Sequence, residues 1–213
     1  MKIEVWSDYA CPFCYIGERR LSKAIESLDV RDEIAIEFRS FELDPYASRE
    51  VTGTTLDRFA KKYRLSKQEA SQQIEGISEM GRQEGLDFRY ATTLYTNTFD
   101  AHRLTKFAQS KSNELAARLI EKLFDAYFTK NLALADHSVL KKIAAEIGLD
   151  ASEVDDVLST DKFSEEVIDD ERRAMQYGIN AVPHFIIDGK YSLSGAQSTE
   201  VIRDALKKIV SPD

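Results

Sequence analysis

The chain of 213 residues contains two cysteines, and they stand three positions apart as Cys11-Pro12-Phe13-Cys14. Two cysteines scattered at random over such a length would take that spacing in about one arrangement in a hundred. A short alternating run, Lys2-Ile3-Glu4-Val5-Trp6-Ser7, precedes the pair, and a stretch of helical periodicity follows it. A dithiol between a strand and a helix is the arrangement that thiol–disulfide exchange requires. The thiolate is the nucleophile, and an ordinary thiol with a pKa of about 8.5 is only a few per cent ionised near neutrality. At a helix start, unpaired backbone N–H groups and the positive end of the macrodipole favour a negative sulfur. This reading makes Cys11 the attacking thiolate. Cys14, one turn in and covered by neighbours such as Tyr15, becomes the resolving thiol.

Geometry favours cycling over stapling. Positions i and i+3 of a helix hold their Cβ atoms about 5–6 Å apart, whereas a disulfide wants about 3.8 Å. Either the first turn tightens or the bond carries strain, and strained, exposed disulfides are the easily reduced ones. Other uses of the pair are weaker. A structural disulfide closing so small a loop would constrain the unfolded chain little. Zinc needs four ligands, and only His102, His137 and His184 remain, none at ligand spacing, so no metal site is expected. Two inert buried cysteines are the blandest alternative.

The elements that must hold this dithiol can be read from periodicity. Residues 2–7 predict a strand, and Pro12 opens a helix with Ile16, Leu21, Ala24, Ile25 and Leu28 on one side. A second strand is predicted over 34–43, ended by Asp44-Pro45, which completes a β-α-β unit. From about Thr54 to Ser159 only amphipathic helices are legible. Leu115, Leu119, Ile120, Leu123, Phe124, Tyr127 and Phe128 trace one apolar face, and Val139, Leu140, Ile143, Ala144 and Ile147 another, closed by Gly148. Asn97 or Thr98 would cap a helix through Ala101, Leu104 and Ala108. A helix over 161–177 leads to Ala181-Val182-Pro183, a strand His184–Ile187, the hairpin turn Asp188-Gly189, a strand Tyr191–Ser194 and a last helix from Ser198 or Thr199.

Composition sets further bounds. Twenty-nine basic against 37 acidic residues leave a formal charge of −8, with no Lys/Arg cluster to attract phosphate backbones, so nucleic acid is not an expected partner. No stretch reaches the length of a membrane span. The first eight residues lack a basic region leading into an uninterrupted apolar one, so a cytoplasmic location is expected. There a lasting structural disulfide is rare and a C-x-x-C is more often catalytic or metal-binding.

Taken together, the strand ending Val5-Trp6-Ser7-Asp8, the Cys11–Cys14 dithiol, the helical middle, Asn97-Thr98-Phe99-Asp100-Ala101-His102 and Ala181-Val182-Pro183-His184-Phe185 resemble the DsbA-like branch of the thioredoxin superfamily. Within it the chain is most similar to the cytosolic FrnE-like group. That group is related to kappa-class glutathione transferases and to 2-hydroxychromene-2-carboxylate isomerase. The resemblance implies an α/β, thioredoxin-like fold with a large all-helical insertion. Residues 1–50 and 160–213 would form a discontinuous thioredoxin-like domain, and 51–159 the insertion. It implies a cis Pro183 facing the dithiol and a Val182 that aligns an extended substrate through its backbone. Pro12 and Phe13 complete the expected substrate contacts, with Trp6, Asn97 and His102 behind the dithiol and Tyr9 beside it.

Read alone, His102 is a hydrogen-bonded packing residue; the resemblance adds the alternative that it tunes Cys11 or binds substrate. His184 reads as structural. Periplasmic DsbA-type oxidants carry a histidine where this chain has Phe13, so a milder redox couple is implied. The expected activity is dithiol–disulfide exchange with protein or peptide thiols and disulfides, needing no cofactor, with glutathione as a compatible redox partner. The alternative is a glutathione-dependent transferase or isomerase acting on a small molecule. Those relatives usually have serine at the first cysteine and no second thiol.

Overall fold

A computed structural model describes residues 1–28 and 33–210. It contains a four-stranded sheet of order β2-β1-β3-β4, built from β1 (Lys2–Ser7), β2 (Ala35–Ser40), β3 (His184–Ile187) and β4 (Tyr191–Ser194). β1 pairs parallel to β2, with Val5 opposite Phe38, and antiparallel to β3, with Val5 opposite Phe185. The β3–β4 hairpin turns at Asp188 and Gly189, both at positive φ (49° and 67°), as an Asp-Gly turn demands. The central pair β1–β3 is covered on both faces: Ile3, Val5, Phe185 and Ile187 are buried on one, Trp6 and Ile186 on the other.

Helix α1 (Pro12–Glu26) follows β1 and packs with α9 (Thr199–Val210), while α8 (Ser164–Gln176) lies on β2. Between β2 and α8 run α2 (Thr55–Tyr63), α3 (Lys67–Gln83), α4 (Phe99–Lys111), α5 (Asn113–Phe128), α6 (His137–Glu146) and α7 (Ala151–Ser159). Their starts carry explicit caps. Thr54 with Asp57 and Ser66 with Glu69 form capping boxes, and Asp136 and Asp150 accept from the first-turn N–H groups of α6 and α7. Gly148, at φ 85°, ends α6 as its position suggested. The apolar core runs without interruption from the sheet into α5, where Phe124 and Phe128 meet Tyr15 of α1. Among the described residues no helix is long and apolar enough to cross a membrane.

Two boundaries differ from the sequence reading for identifiable reasons. The strand predicted to Leu43 stops at Ser40: the Phe41 N–H still donates to the Ser7 carbonyl (3.2 Å), and the N–H groups after it turn to side chains. Glu42 N donates to the Glu171 carboxylate (3.0 Å) and Leu43 N to that of Asp8 (2.8 Å). The helix predicted from 161 starts at Ser164, because the buried Arg103 guanidinium takes the carbonyls of Val157, Thr160 and Lys162. Phe163 sits left-handed, at φ 64°, at that entrance.

A charged network ties α8 to the sheet. Asp170 accepts from the Ser40 N–H (2.8 Å), the Arg39 guanidinium (3.0 Å) and the Lys106 ammonium, and Arg39 also binds Glu4 (2.6 Å). All of these lie wholly or mostly out of water.

Candidate active site

Cys11 is the N-cap residue of α1, with extended backbone (φ −93°, ψ 113°), and Pro12 occupies the first turn, where its missing N–H costs nothing. The turn is tightened: Cys11 N donates to Asp8 O and Cys14 N to Cys11 O, both at 3.1 Å. This is the short-pitch geometry that two cysteines at i and i+3 need. Both are free thiols, with Cys11 4% and Cys14 1% exposed. Cys11 is thus largely covered, and Phe13, 37% exposed, is the apolar side chain at the rim. Burial pushes the Cys14 thiol well up, and the neighbouring Cys11 adds to this. The Asp8 backbone and the Ser7 hydroxyl favour its ionised form and work the other way.

The proline loop reaches this turn from 171 positions away. Cys11 Sγ donates to the Val182 carbonyl at 3.5 Å, and the Val182–Pro183 peptide is cis. Gly17, one turn beyond Cys14, makes the approach feasible. A Cβ built there would stand 2.9 Å from Pro183 Cγ, so only glycine lets the ring lie on α1. His184, next in line, hydrogen-bonds Ser192 Oγ (2.9 Å) on β4 and faces away from Phe185.

Behind the dithiol, Asp8 joins three segments. Its carboxylate accepts from Ala10 N (3.3 Å), Thr98 Oγ1 (2.8 Å) and Leu43 N. Asn97 lies beside it, accepting from Phe99 N (3.0 Å) and donating to Glu42 and to the Pro45 carbonyl (both 3.3 Å). Asn97 therefore supplies the capping bond of α4, while Thr98, the N-cap by position, gives its hydroxyl to Asp8. Burial pushes the Glu42 carboxyl up to about 7. His102 is 3% exposed and packs against Tyr9 with the rings tilted by 38° and their centres 4.8 Å apart. Its Nε2 makes no hydrogen bond and stands 3.5 Å from Asp8 Oδ1. It is not the hydrogen-bonded packing residue that a lone helical histidine suggests.

Two expected neighbours of the dithiol point elsewhere. Trp6 alternates to the α8 side of β1, where Nε1 donates to Asp170 O (3.0 Å) and the ring meets Tyr177 edge-on. Tyr9 turns inward to Phe124, His102 and Thr105. Sequence reasoning missed Gly17, which carried no turn signal, and the connecting role of Asp8. It also missed Glu18, which faces the same cavity as His102. Its carboxyl is pushed up to about 8, by burial first and then by Glu121, against the lowering by Arg19.

A second recess, of about 90 Å³, opens beside Ala10 and is lined by Arg58, Lys62, Tyr63, Tyr90, Tyr95 and Tyr127 among others. The Arg58 guanidinium lies flat on Tyr95, 3.2 Å from the ring centre.

The DSBA-like thioredoxin domain matches residues 2–207. The chain belongs to that family. Its helical block between β2 and α8 is the insertion of the DsbA-like thioredoxin fold. A solved structure of a probable DsbA oxidoreductase from Streptomyces coelicolor is 34% identical, with a TM-score of 0.93, over 100% of this chain and 91% of that one. The uncharacterised protein YwbO of Bacillus subtilis is 28% identical over 213 residues, 96% of this chain and 94% of that protein. The cytosolic disulfide reductase DsbM from Pseudomonas aeruginosa, solved with glutathione, shares the fold. It has a TM-score of 0.67 and 15% identity, over 99% of each chain.

Proposed function

We propose that the protein is a dithiol–disulfide oxidoreductase acting on protein or peptide substrates in a reducing compartment. The observation that carries this reading is the meeting of Cys11 Sγ, at the start of α1, with the Val182 carbonyl beside Pro183. A thiol at a helix N-terminus and the backbone of the proline loop then lie side by side. Cys11 attacks a substrate disulfide, forming a mixed disulfide and releasing one substrate thiolate. Cys14 then attacks Cys11, releasing the second substrate thiol and leaving the enzyme disulfide. Val182 and Pro183 align the substrate, with Pro12 and Phe13 at the rim. Potential against compartment sets the direction, so in a reducing cytoplasm reduction or isomerisation prevails over net oxidation. Trapping with Cys14→Ser tests this. Mixed disulfides on Cys11 are expected, and the absence of any adduct would remove the assignment.

A glutathione-dependent transferase or isomerase is the second reading. The cationic recess beside Ala10 favours it, since Arg58 and Lys62 suit carboxylates, and DsbM has been solved with glutathione. The retained, buried Cys14 favours exchange instead. Turnover of a small electrophile that survives Cys14→Ser, with saturable glutathione binding, would select the transferase or isomerase.

A further inference from the structure

The turn that follows β4 is tied to the proline loop and held from its far side by α1. Gly195, at φ 77°, reverses the chain, and its N–H donates to the Pro183 carbonyl at 2.8 Å. Gln197 N closes the turn on the Gly195 carbonyl (2.9 Å). Between them, Ala196 packs on α1. A Cβ built on Gly17 would stand 3.6 Å from the Ala196 Cα and 2.9 Å from Pro183 Cγ, so both segments lie over one face of that helix. Arg20 is one turn further along the same face, and its Nη1 donates to the Ala196 carbonyl at 2.8 Å.

The helical insertion fixes the other end of the guanidinium. Arg20 Nε donates to Glu84 Oε1 (2.6 Å) at the C-terminal end of α3, and Lys23 Nζ donates to Glu84 Oε2 (2.7 Å) and to the Glu84 carbonyl (3.3 Å). The Arg20 and Glu84 side chains are mostly out of water, 14% and 13% exposed. Burial raises the Glu84 carboxyl, but Lys23 and Arg20 outweigh it and hold the group below its ordinary range, so it is ionised near neutrality. An arginine facing a carboxylate commonly takes both oxygens in a parallel fork. Here Lys23 takes the second oxygen, and Arg20 sends the N–H so released to a carbonyl on another segment.

We infer that Arg20 is a positioning residue for the loop that aligns the substrate, and that the helical insertion steadies this loop through Glu84. The inference rests on the dithiol exchange proposed above and deepens it. The connection is continuous: Glu84 to Arg20, Arg20 to Ala196, Gly195 to Pro183, and the Val182 carbonyl to Cys11 Sγ. A planar guanidinium presents its donors in fixed directions, so seating Nε on Glu84 also sets where Nη1 points. Without that bond the Gly195–Ala196 turn keeps only its own closure and its tie to Pro183, and turn and proline loop are free to shift together. Arg20 touches neither the sulfurs nor the substrate, so its effect travels through geometry alone. A substrate long enough to lie along Val182 should feel it, and one that reaches no further than Cys11 should not.

Single turnovers of the dithiol enzyme separate the two cases, with a quenched fluorescent peptide disulfide as the long substrate and hydroxyethyl disulfide as the short one. Arg20→Gln should lower the second-order rate constant for the peptide by about tenfold or more, mainly by raising the concentration that half-saturates the enzyme. The short disulfide should react as with the wild type. Glu84→Ala should move the ratio of the two substrates in the same direction. Lys23→Gln takes the same charge from Glu84 but no bond from the loop, and should leave the ratio unchanged. Because Glu84 keeps Lys23 in Arg20→Gln, no carboxylate is stranded and the fold should persist. Amide hydrogen exchange checks this: the Gly195 N–H should lose protection in Arg20→Gln, while that of Leu123 within α5 keeps it. A wild type that reacts with neither disulfide overturns the exchange reading itself. A wild type that reacts with both, and a ratio unchanged in Arg20→Gln or in Glu84→Ala, overturns only the positioning role. So does a ratio that falls equally in Lys23→Gln, or protection lost at Gly195 and Leu123 alike.

Discussion

Replacing Gly17 by alanine tests whether the proline loop really lies on the dithiol helix. In a helix interior the change should stabilise by about 0.8–1 kcal/mol, because glycine gives up more backbone freedom on folding. At position 17, however, the new Cβ would meet Pro183 Cγ at 2.9 Å, closer than carbon atoms can pack. Overpacking of that kind costs about 1–3 kcal/mol. Gly76, exposed within α3, is the internal control, since a Cβ there meets nothing within 4 Å. Gly76→Ala should therefore raise the midpoint of thermal unfolding by about 2–4 °C, the shift that about 1 kcal/mol gives a chain of this size. Gly17→Ala should fall below it by about 1–3 kcal/mol in urea unfolding of the dithiol form. Because the displaced ring belongs to the loop that touches Cys11, Gly17→Ala should also lower kcat/KM for disulfide reduction while Gly76→Ala leaves it alone. If both alanines stabilise equally and exchange is unchanged, the Pro183 ring does not occupy this place and the argument fails.

The remaining expectations concern charge, redox poise and pH. Phe13→His restores a donor beside the Cys11 sulfur and should make the couple more oxidising, moving the equilibrium constant with glutathione by about tenfold or more. No movement would show that the residue between the cysteines does not set the potential here. Asp170→Ala leaves Lys106 in the interior without its carboxylate and takes one of the partners of Arg39, which keeps Glu4, and should cost about 3 kcal/mol or more in urea unfolding; a loss under about 1 kcal/mol would contradict the network. Glu18 is raised from 4.5 to about 8, so the stabilisation by its acid form is complete below about pH 4.5 and lost as pH rises through about 8. Glu18→Gln, which cannot ionise, should match the wild type in acid and exceed it by a growing margin as pH rises through about 8. A stability difference independent of pH would refute that assignment.

Local patterning carried much of the architecture. The alternation of residues 2–7, the Asp188-Gly189 turn and the closing Gly148 are statements about a few adjacent dihedrals, and each was realised where the residues announced it. The tightened turn from Cys11 to Cys14 likewise follows from their spacing. Element ends were less legible. Ser40 ends β2 because the Asp8 and Glu171 carboxylates claim the N–H groups beyond it, and Ser164 starts α8 because Arg103 claims the carbonyls before it. Those partners are long side chains far along the sequence, invisible to a periodicity argument.

By itself, then, the sequence determined a dithiol on a helix start, a β-α-β opening, a helical middle and a closing hairpin. All of these follow from neighbours within about one turn or one strand pair. Only the tertiary structure decided what surrounds the sulfurs. Val182 lies against Cys11 across 171 positions, Gly17 yields to Pro183, Trp6 belongs to the α8 side, and His102 stands unbonded opposite Asp8. The physical reason is that such contacts come from closing long loops onto a shared core. The whole set of buried faces selects that outcome, and no single segment encodes it.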